Sequence, residues 1–198
     1  FYIMSSVVQS LRVQQLTKAQ ALKILVEGVS SQWQSLLVNP KLDKILDVLV
    51  QEESIIVPKF PQIFEFARLT QLKDISVVII GQDPYPTKGH AHGLAFSCKM
   101  GIPESLKNIY KCLVKKKIIK AAPMHGDLTS WASQGVLMIN RALTTHEGKP
   151  KAHQTLWNSY TEDLVRTISE KPIVFLLWGA NAQQLKTVIG KKSFVLMW

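Results

Sequence analysis

At 198 residues, of which 46% are apolar, the chain is long enough to bury one hydrophobic core, and we expect a single domain over residues 1–198. No apolar stretch approaches the roughly 20 residues that a membrane-spanning helix needs, and the N-terminal FYIMSSVVQS lacks the basic leader of a secretory signal. Two cysteines, Cys98 and Cys112, are too few for a disulfide framework or a zinc set, which favours a reducing compartment inside the cell, the nucleus or the cytoplasm.

The charge balance favours a polyanionic partner. Twenty-four Lys and Arg residues stand against fourteen Asp and Glu residues, which gives a net charge of +10. Nucleic acid is the first candidate and an anionic membrane surface the second, while a merely basic protein stays open on charge alone. The lysines at 115–117 and 120 are open to two interpretations, a track for phosphates or, more commonly, a solvated helix face.

The first half of the chain is predicted to begin with helices, over residues 8–27 and 41–51. In the second of these, four apolar residues share one face at helical spacing: Leu42, Ile45, Leu46 and Leu49. The sequence VPKFPQIF then indicates a proline-broken connection across the surface.

Four short apolar runs come next, and they have the character of buried strands. They are SVVIIG (76–81), GVLMIN (135–140), PIVFLLWG (172–179) and SFVLMW (193–198). Their apolarity is continuous rather than alternating, which is typical of strands covered on both faces, and hence of a parallel sheet.

Helical patterns separate the runs, at ESLKNIYKCLVKK (104–116), DLTSWASQG (127–135), TLWNSYTEDLVRTIS (155–169) and ANAQQLKTVIG (180–190). Asp127 is a plausible N-cap and Gly135 a C-terminal stop for the second of them. This alternation predicts an α/β fold with a central four-stranded, largely parallel, twisted sheet and helices on both faces. Ligands of such sheets gather at the carboxyl ends of the strands, where Gln82, Asp83 and Asn140 stand.

The sequence GQDPY (81–85) directly succeeds the first strand. It lacks the glycine spacing and the Lys-Ser/Thr ending of a phosphate-binding loop. A lone Asp at such a place is often only a turn cap. The interpretation changes because of the motifs downstream, which are, in chain order, AHGLAFS, SLKNIY, HGDLTSWASQGVLMIN and FLLWGANAQ. Together these motifs resemble the uracil-DNA glycosylase family, from about Trp33 to the C-terminus.

The resemblance implies an enzyme of DNA repair that flips uracil out of DNA and hydrolyses its N-glycosidic bond without a metal or a cofactor. Phe96 would be the ring on which the base stacks, and Asn140 the amide that distinguishes uracil from cytosine. Tyr85 would exclude the methyl group of thymine by a clash. Asp83 would stabilise the cation-like sugar and orient the attacking water. Gln82 would contact the base through its backbone and edge.

The same resemblance implies DNA contacts in two loops. GIPES offers Pro103 and Ser105, although it is poorer in proline than the family loop, and WGANAQ offers the amides of Gly179 and Ala180, where many relatives carry serine at the second position. His125 either faces DNA or has a structural capping role. The implied partner is uracil-containing DNA, single- or double-stranded, bound by a monomer with no membrane involved; a protein inhibitor or a replication partner is left open.

Two departures from the family pattern stand out. Pro86 replaces the usual histidine after Tyr85, which we expect to tune the rate rather than change the reaction. In the family, the strand matching SFVLMW leads into a loop reading roughly His-Pro-Ser-Pro-Leu, and the sequence ends at Trp198 before it. We therefore expect this 198-residue chain to lack the His-Pro-Ser-Pro-Leu loop segment. His90 and His92 belong to the turn, and His153 matches a family position before the helix that contains Trp157.

Two alternatives remain on the sequence alone. A metal-dependent phosphoesterase would use metal-capable residues that include a His-x-His pair: Asp83, His90, His92, His125 and Asp127. A non-catalytic DNA-binding module with a glycosylase-like fold is the second. Such a module has no need of Asp83, Phe96 and Asn140 together, which argues against it.

Overall fold

The computed structural model of the protein describes residues 16–197. Its helices are α1 (Lys18–Val26), α2 (Ser31–Leu37), α3 (Pro40–Leu49), α4 (Glu65–Leu69), α5 (Glu104–Lys115), α6 (Thr129–Ala132), α7 (Gln154–Ile168) and α8 (Gly179–Gln183), with 3-10 turns at Phe60–Gln62 and Gln184–Val188. Its strands are β1 (Ile56–Val57), β2 (Val77–Gly81), β3 (Val136–Asn140), β4 (Thr145–His146), β5 (Val174–Leu177) and β6 (Phe194–Met197).

The four predicted strands form one sheet in the order β3-β2-β5-β6, and every neighbouring pair is parallel. The last four residues of β2 and of β3 are all buried, so both faces of these strands are covered. The predicted α/β fold with a parallel four-stranded sheet is therefore confirmed. A separate antiparallel pair joins β1 to β4, with Ile56 opposite His146.

Apolar stripes place the helices α3 and α7 in one hydrophobic core, as the sequence predicts. The four apolar residues of α3 are all buried, and so are Trp157, Tyr160, Leu164 and Ile168 on α7. Asn39 caps α3 by accepting the N–H groups of Lys41 and Leu42, and Pro40 occupies the first turn, where its missing N–H is harmless. None of the helices in the described part of the chain is long and apolar enough to cross a membrane.

Some element bounds differ from the predictions. The first helix begins at Lys18, because Thr17 and Gln20 form a reciprocal cap there, and the predicted residues 8–15 lie outside the described part, as does Trp198. The helix predicted over 127–135 is the single turn α6, and its N-cap is Leu128 rather than Asp127. The Asp127 carboxylate instead accepts the N–H of Thr129 from one position earlier.

Gly135 does end this segment, and its geometry explains why. Its φ is +88°, and a Cβ at this position would lie 2.3 Å from the backbone oxygen of Asp74. The helix predicted over 180–190 is the five-residue α8 followed by a 3-10 turn. The lysines at 115–117 and 120 are all exposed at and beyond the end of α5, which both interpretations of that run require.

Candidate active site

The predicted site residues meet at the carboxyl ends of β2 and β3. Gly81, the last residue of β2, lies opposite Asn140, the last residue of β3. A cavity of about 260 Å³ opens there. Its lining includes Gln82, Asp83, Tyr85, Phe96, Ser105 and Asn140. The fold thus gathers around one cavity residues that the sequence separates by up to 58 positions, from 82 to 140.

Both carboxylate oxygens of Asp83 are held by hydrogen bonds. Oδ1 accepts from the side-chain amide of Gln82 at 2.9 Å, and Oδ2 accepts from the backbone N–H of Lys151 at 2.7 Å. A carboxylate has about four acceptor positions, so two remain for a water molecule or a substrate. Gln82, predicted to contact the base through its backbone and edge, orients Asp83 with its side-chain amide, and its backbone oxygen accepts the N–H of Ala142.

The Tyr85 ring is fixed by its hydroxyl group. This hydroxyl donates to the backbone oxygen of Phe96 at 3.1 Å and lies 2.6 Å from Oγ of Ser105, which then acts as the donor. Burial raises the pKa of the Tyr85 phenol, so the group stays protonated at neutral pH and keeps this donor role. Ser105, predicted to contact DNA, therefore also holds a wall of the cavity.

Phe96 has a backbone conformation that is uncommon for a bulky residue, with φ of +63°. Its ring lies 5.3 Å from the ring of Trp178 at an interplanar angle of 65°. Trp178 directly follows β5, so this contact joins the cavity to a third strand of the sheet. Strained backbone of this kind concentrates at functional sites, where the surrounding structure holds it in place.

Asn140 is buried, with 9% of its surface exposed. It lines the cavity, and within residues 16–197 its side-chain amide has no hydrogen-bond partner, so the amide is available to a ligand. Space for the amide comes from Gly81, since a Cβ there would lie 2.2 Å from Oδ1 of Asn140. Gly81, the glycine of GQDPY, must therefore lack a side chain so that Asn140 on the neighbouring strand β3 can keep its position.

The two predicted DNA-binding loops lie at the same edge of the sheet. Pro103 is the N-cap residue of α5 and is half-buried, and Ser105 is exposed. Gly179 and Ala180 are exposed at the start of α8, two and three residues after β5 ends. Gly179 has φ of +82°, which a residue with a side chain rarely adopts.

Arg141 fixes the second of these loops. It directly follows Asn140 and is 4% exposed. Its Nη1 donates to the backbone oxygen of Asn181 at 2.9 Å and to the side chain of Gln184, and its Nη2 donates to Oε1 of Glu162 at 2.8 Å. The guanidinium group therefore holds the start of α8 against the end of β3.

The histidines of the turn are structural in this fold. His92 is 2% exposed, and its Nε2 lies 2.7 Å from Oγ of Ser97. The His90 ring packs edge-on against Tyr85, and His125 is exposed. The ligand set of the phosphoesterase alternative is therefore not brought together.

Comparison with known proteins decides the family. The sequence model of the Uracil DNA glycosylase superfamily matches residues 68–197. The chain belongs to the uracil-DNA glycosylase superfamily. A uracil-DNA glycosylase of Deinococcus radiodurans is 38% identical over 185 residues, which is 88% of this chain and 75% of that protein. One of Varicella-zoster virus is 48% identical over 134 residues, 65% of this chain and 44% of the viral protein.

Solved structures give the same family. The crystal structure of mimivirus uracil-DNA glycosylase superposes with a TM-score of 0.81 at 28% identity, covering 96% of this chain and 73% of the viral one. Its variant Y322F, in complex with UGI, gives a TM-score of 0.75 at 31% identity over 86% of this chain and 72% of that one. As a uracil-DNA glycosylase, the protein excises uracil in DNA repair by hydrolysing an N-glycosidic bond, as the motifs predict.

Sequence reasoning missed two groups at this candidate site. Lys151 contributes only a backbone N–H, for which no sequence signal exists. Arg141 does leave a signal, because a charged residue within the otherwise apolar stretch after a buried strand must find buried partners. A third set, Glu52, His146 and His153, converges away from the cavity lining.

Proposed function

We propose that Asp83 is the catalytic carboxylate of uracil excision. When the glycosidic bond breaks, uracil leaves with the bonding electrons and the sugar becomes cation-like. An ionised carboxylate beside that sugar stabilises the positive charge and positions water for attack at the same carbon. The two hydrogen bonds from Gln82 and Lys151 hold Asp83 in one orientation, which supports this role.

Base recognition falls to three neighbours of Asp83 in this proposal. Phe96 stacks on the flipped uracil, and Asn140 pairs with its O4 and N3–H, an edge that cytosine presents with donor and acceptor reversed. The Tyr85 ring occupies the space that the methyl group of thymine needs. Its two hydroxyl contacts, to Phe96 and Ser105, keep the ring from moving aside, so that exclusion is by clash.

The DNA backbone is held on both sides of the flipped nucleotide. Pro103 and Ser105 form one contact region, and the backbone amides of Gly179 and Ala180 form the other, with the net charge of +10 adding a general attraction for phosphates. The substrate is uracil-containing DNA, single- or double-stranded, met by a monomer in the nucleus or the cytoplasm. A protein inhibitor is a further partner, since the mimivirus variant Y322F is known in complex with UGI.

The observation that carries the proposal is the convergence of Asp83, Tyr85, Phe96 and Asn140 on one cavity. The decisive variant is Asp83→Asn, which keeps the shape of the side chain and removes its charge. We expect uracil release to fall at least about 100-fold in single-turnover assays, because a positioned catalytic group is worth that much or more. Binding of uracil-containing DNA should persist.

The matched control is Asp47→Asn on the exposed face of α3, where the carboxylate only pairs with Lys18. This variant should excise uracil at the wild-type rate. If Asp83→Asn kept more than about a tenth of the wild-type rate, the catalytic role would belong to another group.

A further inference from the structure

Three side chains meet in a cluster that excision does not use. Within residues 16–197, Glu52, His146 and His153 form the group of three potential metal ligands that converges. The two histidine Nε2 atoms are 3.0 Å apart, and the Glu52 carboxylate oxygens lie 3.1 Å from His146 Nε2 and 3.4 Å from His153 Nε2. The cluster joins the segment after α3, strand β4 and the residue before α7.

Hydrogen bonding alone does not account for these distances. Three close contacts link the two imidazole nitrogens and the carboxylate, yet neutral imidazoles bring at most one N–H each to them. If both Nε2 atoms are protonated, each reaches Glu52, but two N–H groups then face each other across 3.0 Å. If one Nε2 is unprotonated, its lone pair opposes a carboxylate oxygen. A cation at the centre would be favourable to all three lone pairs.

The surroundings of His153 match those of a ligand. Its ring is 4% exposed, and its other nitrogen, Nδ1, lies 2.8 Å from Oγ1 of Thr144. The indole N–H of Trp157 donates to the same oxygen at 2.7 Å, which fixes Thr144 in turn. Metal-bound histidines nearly always engage their second nitrogen in this way, because that bond sets the tautomer and the ring orientation.

We propose that Glu52, His146 and His153 bind one Zn²⁺ ion, through a carboxylate oxygen and the two Nε2 atoms. Bonds of 2.0–2.2 Å in a tetrahedral site place ligand atoms about 3.3–3.6 Å apart, so the observed 3.0–3.4 Å needs only a slight opening of the cluster. Two imidazoles and a carboxylate suit zinc among the common divalent metals. The partial exposure of Glu52 and His146 leaves a path for the ion and a fourth position for water.

The site bears on the active centre through one loop. His146 and His153 bracket residues 147–152, and Lys151 in this loop donates its backbone N–H to Asp83. A second hydrogen bond ties the loop to the turn after GQDPY, from the N–H of Gly148 to the oxygen of Pro86. The ion would thus close the ends of the loop and restrict the motion of the group that orients Asp83.

The test is zinc binding by the full chain without a histidine tag, after removal of metals with a chelator. Isothermal titration with ZnCl₂ should give one ion per chain, and CoCl₂ should give the visible absorption bands of a tetrahedral site. At free Zn²⁺ of about 100 times Kd, the melting temperature should rise by about 5–10 °C. His146→Ala and Glu52→Gln should each abolish or greatly weaken both signals, while His125→Ala, which removes an exposed histidine elsewhere, should not.

Circular dichroism in the chelator shows whether each variant is folded before titration. A wild-type chain that binds no zinc, or folded His146→Ala and Glu52→Gln variants that bind it as tightly as the wild type, would overturn the site. Hydrogen exchange tests the second part. Zinc should slow exchange of the amides of residues 147–152 in the wild type and leave them unchanged in His146→Ala. Bound zinc with unslowed amides would overturn the restraint on the loop.

Discussion

The backbone N–H of Lys151 donates to Oδ2 of Asp83 at 2.7 Å, across 68 positions of the sequence. Lys151 has φ of +64°, in the left-handed region that residues with a side chain seldom adopt, and its side chain is exposed. The orientation of the proposed catalytic carboxylate therefore depends on the conformation of a loop backbone and on no side chain of that loop.

Replacement of Lys151 tests this dependence directly. Lys151→Pro removes the N–H and cannot adopt the observed φ, so we expect uracil release to fall about 10- to 100-fold while the protein stays folded. Lys151→Gly keeps the N–H, favours the positive φ and should retain the wild-type rate, apart from the loss of one surface charge. Single-turnover rates at saturating enzyme would distinguish the two. Equal loss in both variants would assign the effect to the lysine side chain instead.

Tyr85→Ala should allow the enzyme to release thymine. The proposal makes the ring a wall, and removing it leaves space for the methyl group, so thymine release from a normal duplex should become measurable while uracil release persists. Tyr85→Phe keeps the ring and loses the hydroxyl contacts to Phe96 and Ser105 that hold it, so it should exclude thymine less strictly than the wild type but far better than Tyr85→Ala. If Tyr85→Ala released uracil and no thymine, another residue would be responsible for the exclusion.

Gly81→Ala should impair base recognition, because Gly81 lies opposite Asn140 on the neighbouring strand. The new Cβ would lie 2.2 Å from Oδ1 of Asn140 and 3.0 Å from Cβ of Ala95, so the amide must leave its position. We expect uracil release to fall at least about 10-fold, and the free energy of unfolding to fall by about 1–3 kcal/mol, the usual cost of overpacking.

A double-mutant cycle identifies the cause of that loss. In the Asn140→Ala background, Gly81→Ala no longer meets the amide and should cost less stability than it does alone. The measurement is chemical unfolding of the four proteins. Additive losses would show that Asn140 is not the residue displaced.

The stability of the protein should depend on pH through His92. Burial lowers the pKa of this histidine, and Lys99 lowers it further, against smaller opposite effects of Asp127 and Glu65. Between the folded pKa and about 6.5, the unfolded chain therefore binds more protons than the folded chain. The free energy of unfolding should fall as the pH drops below about 6.5 and level off below the folded pKa.

His92→Gln isolates this contribution, because its amide reaches Ser97 and does not titrate. Urea unfolding at pH 7.5 and pH 5.5 should show a smaller loss of stability in the variant than in the wild type. The same loss in both proteins would mean that the pH dependence arises from other groups.

Much of this arrangement can be predicted from sequence because the relevant signals are local. The runs of β2 and β3 are buried as predicted, whereas β6, predicted to be buried from the same pattern, is an exposed edge strand. Parallel strands bring their carboxyl ends to one edge, so Asp83 and Asn140 can be placed together from the sequence alone. The motifs after β2 then indicate the residues that line the cavity. The stripe on α3 is predicted by helical spacing in the same way.

The features that sequence could not predict depend on contacts between distant segments or on the backbone. The N–H of Lys151 is a group that almost every residue has, and only the loop conformation makes it useful. Glu52 and His146 are separated by 94 positions and have no metal-ligand spacing, so their meeting requires the pairing of β1 with β4. The helix predicted around α6 is too long because Gly135 and the start of β3 leave room for a single turn only.

The strand order has a consequence for how the protein is made. β2 is an inner strand between β3 and β5, and 93 positions separate the end of β2 at Gly81 from the start of β5 at Val174. At 5–20 residues per second, a ribosome takes about 5–20 s to cover that distance. During this interval the edge of β2 that pairs with β5 has no partner strand, and the Trp178 ring that packs against Phe96 has not yet been synthesised. The nascent chain therefore carries the proposed catalytic aspartate for several seconds before the central sheet can close, an interval in which chaperone binding would favour a productive fold.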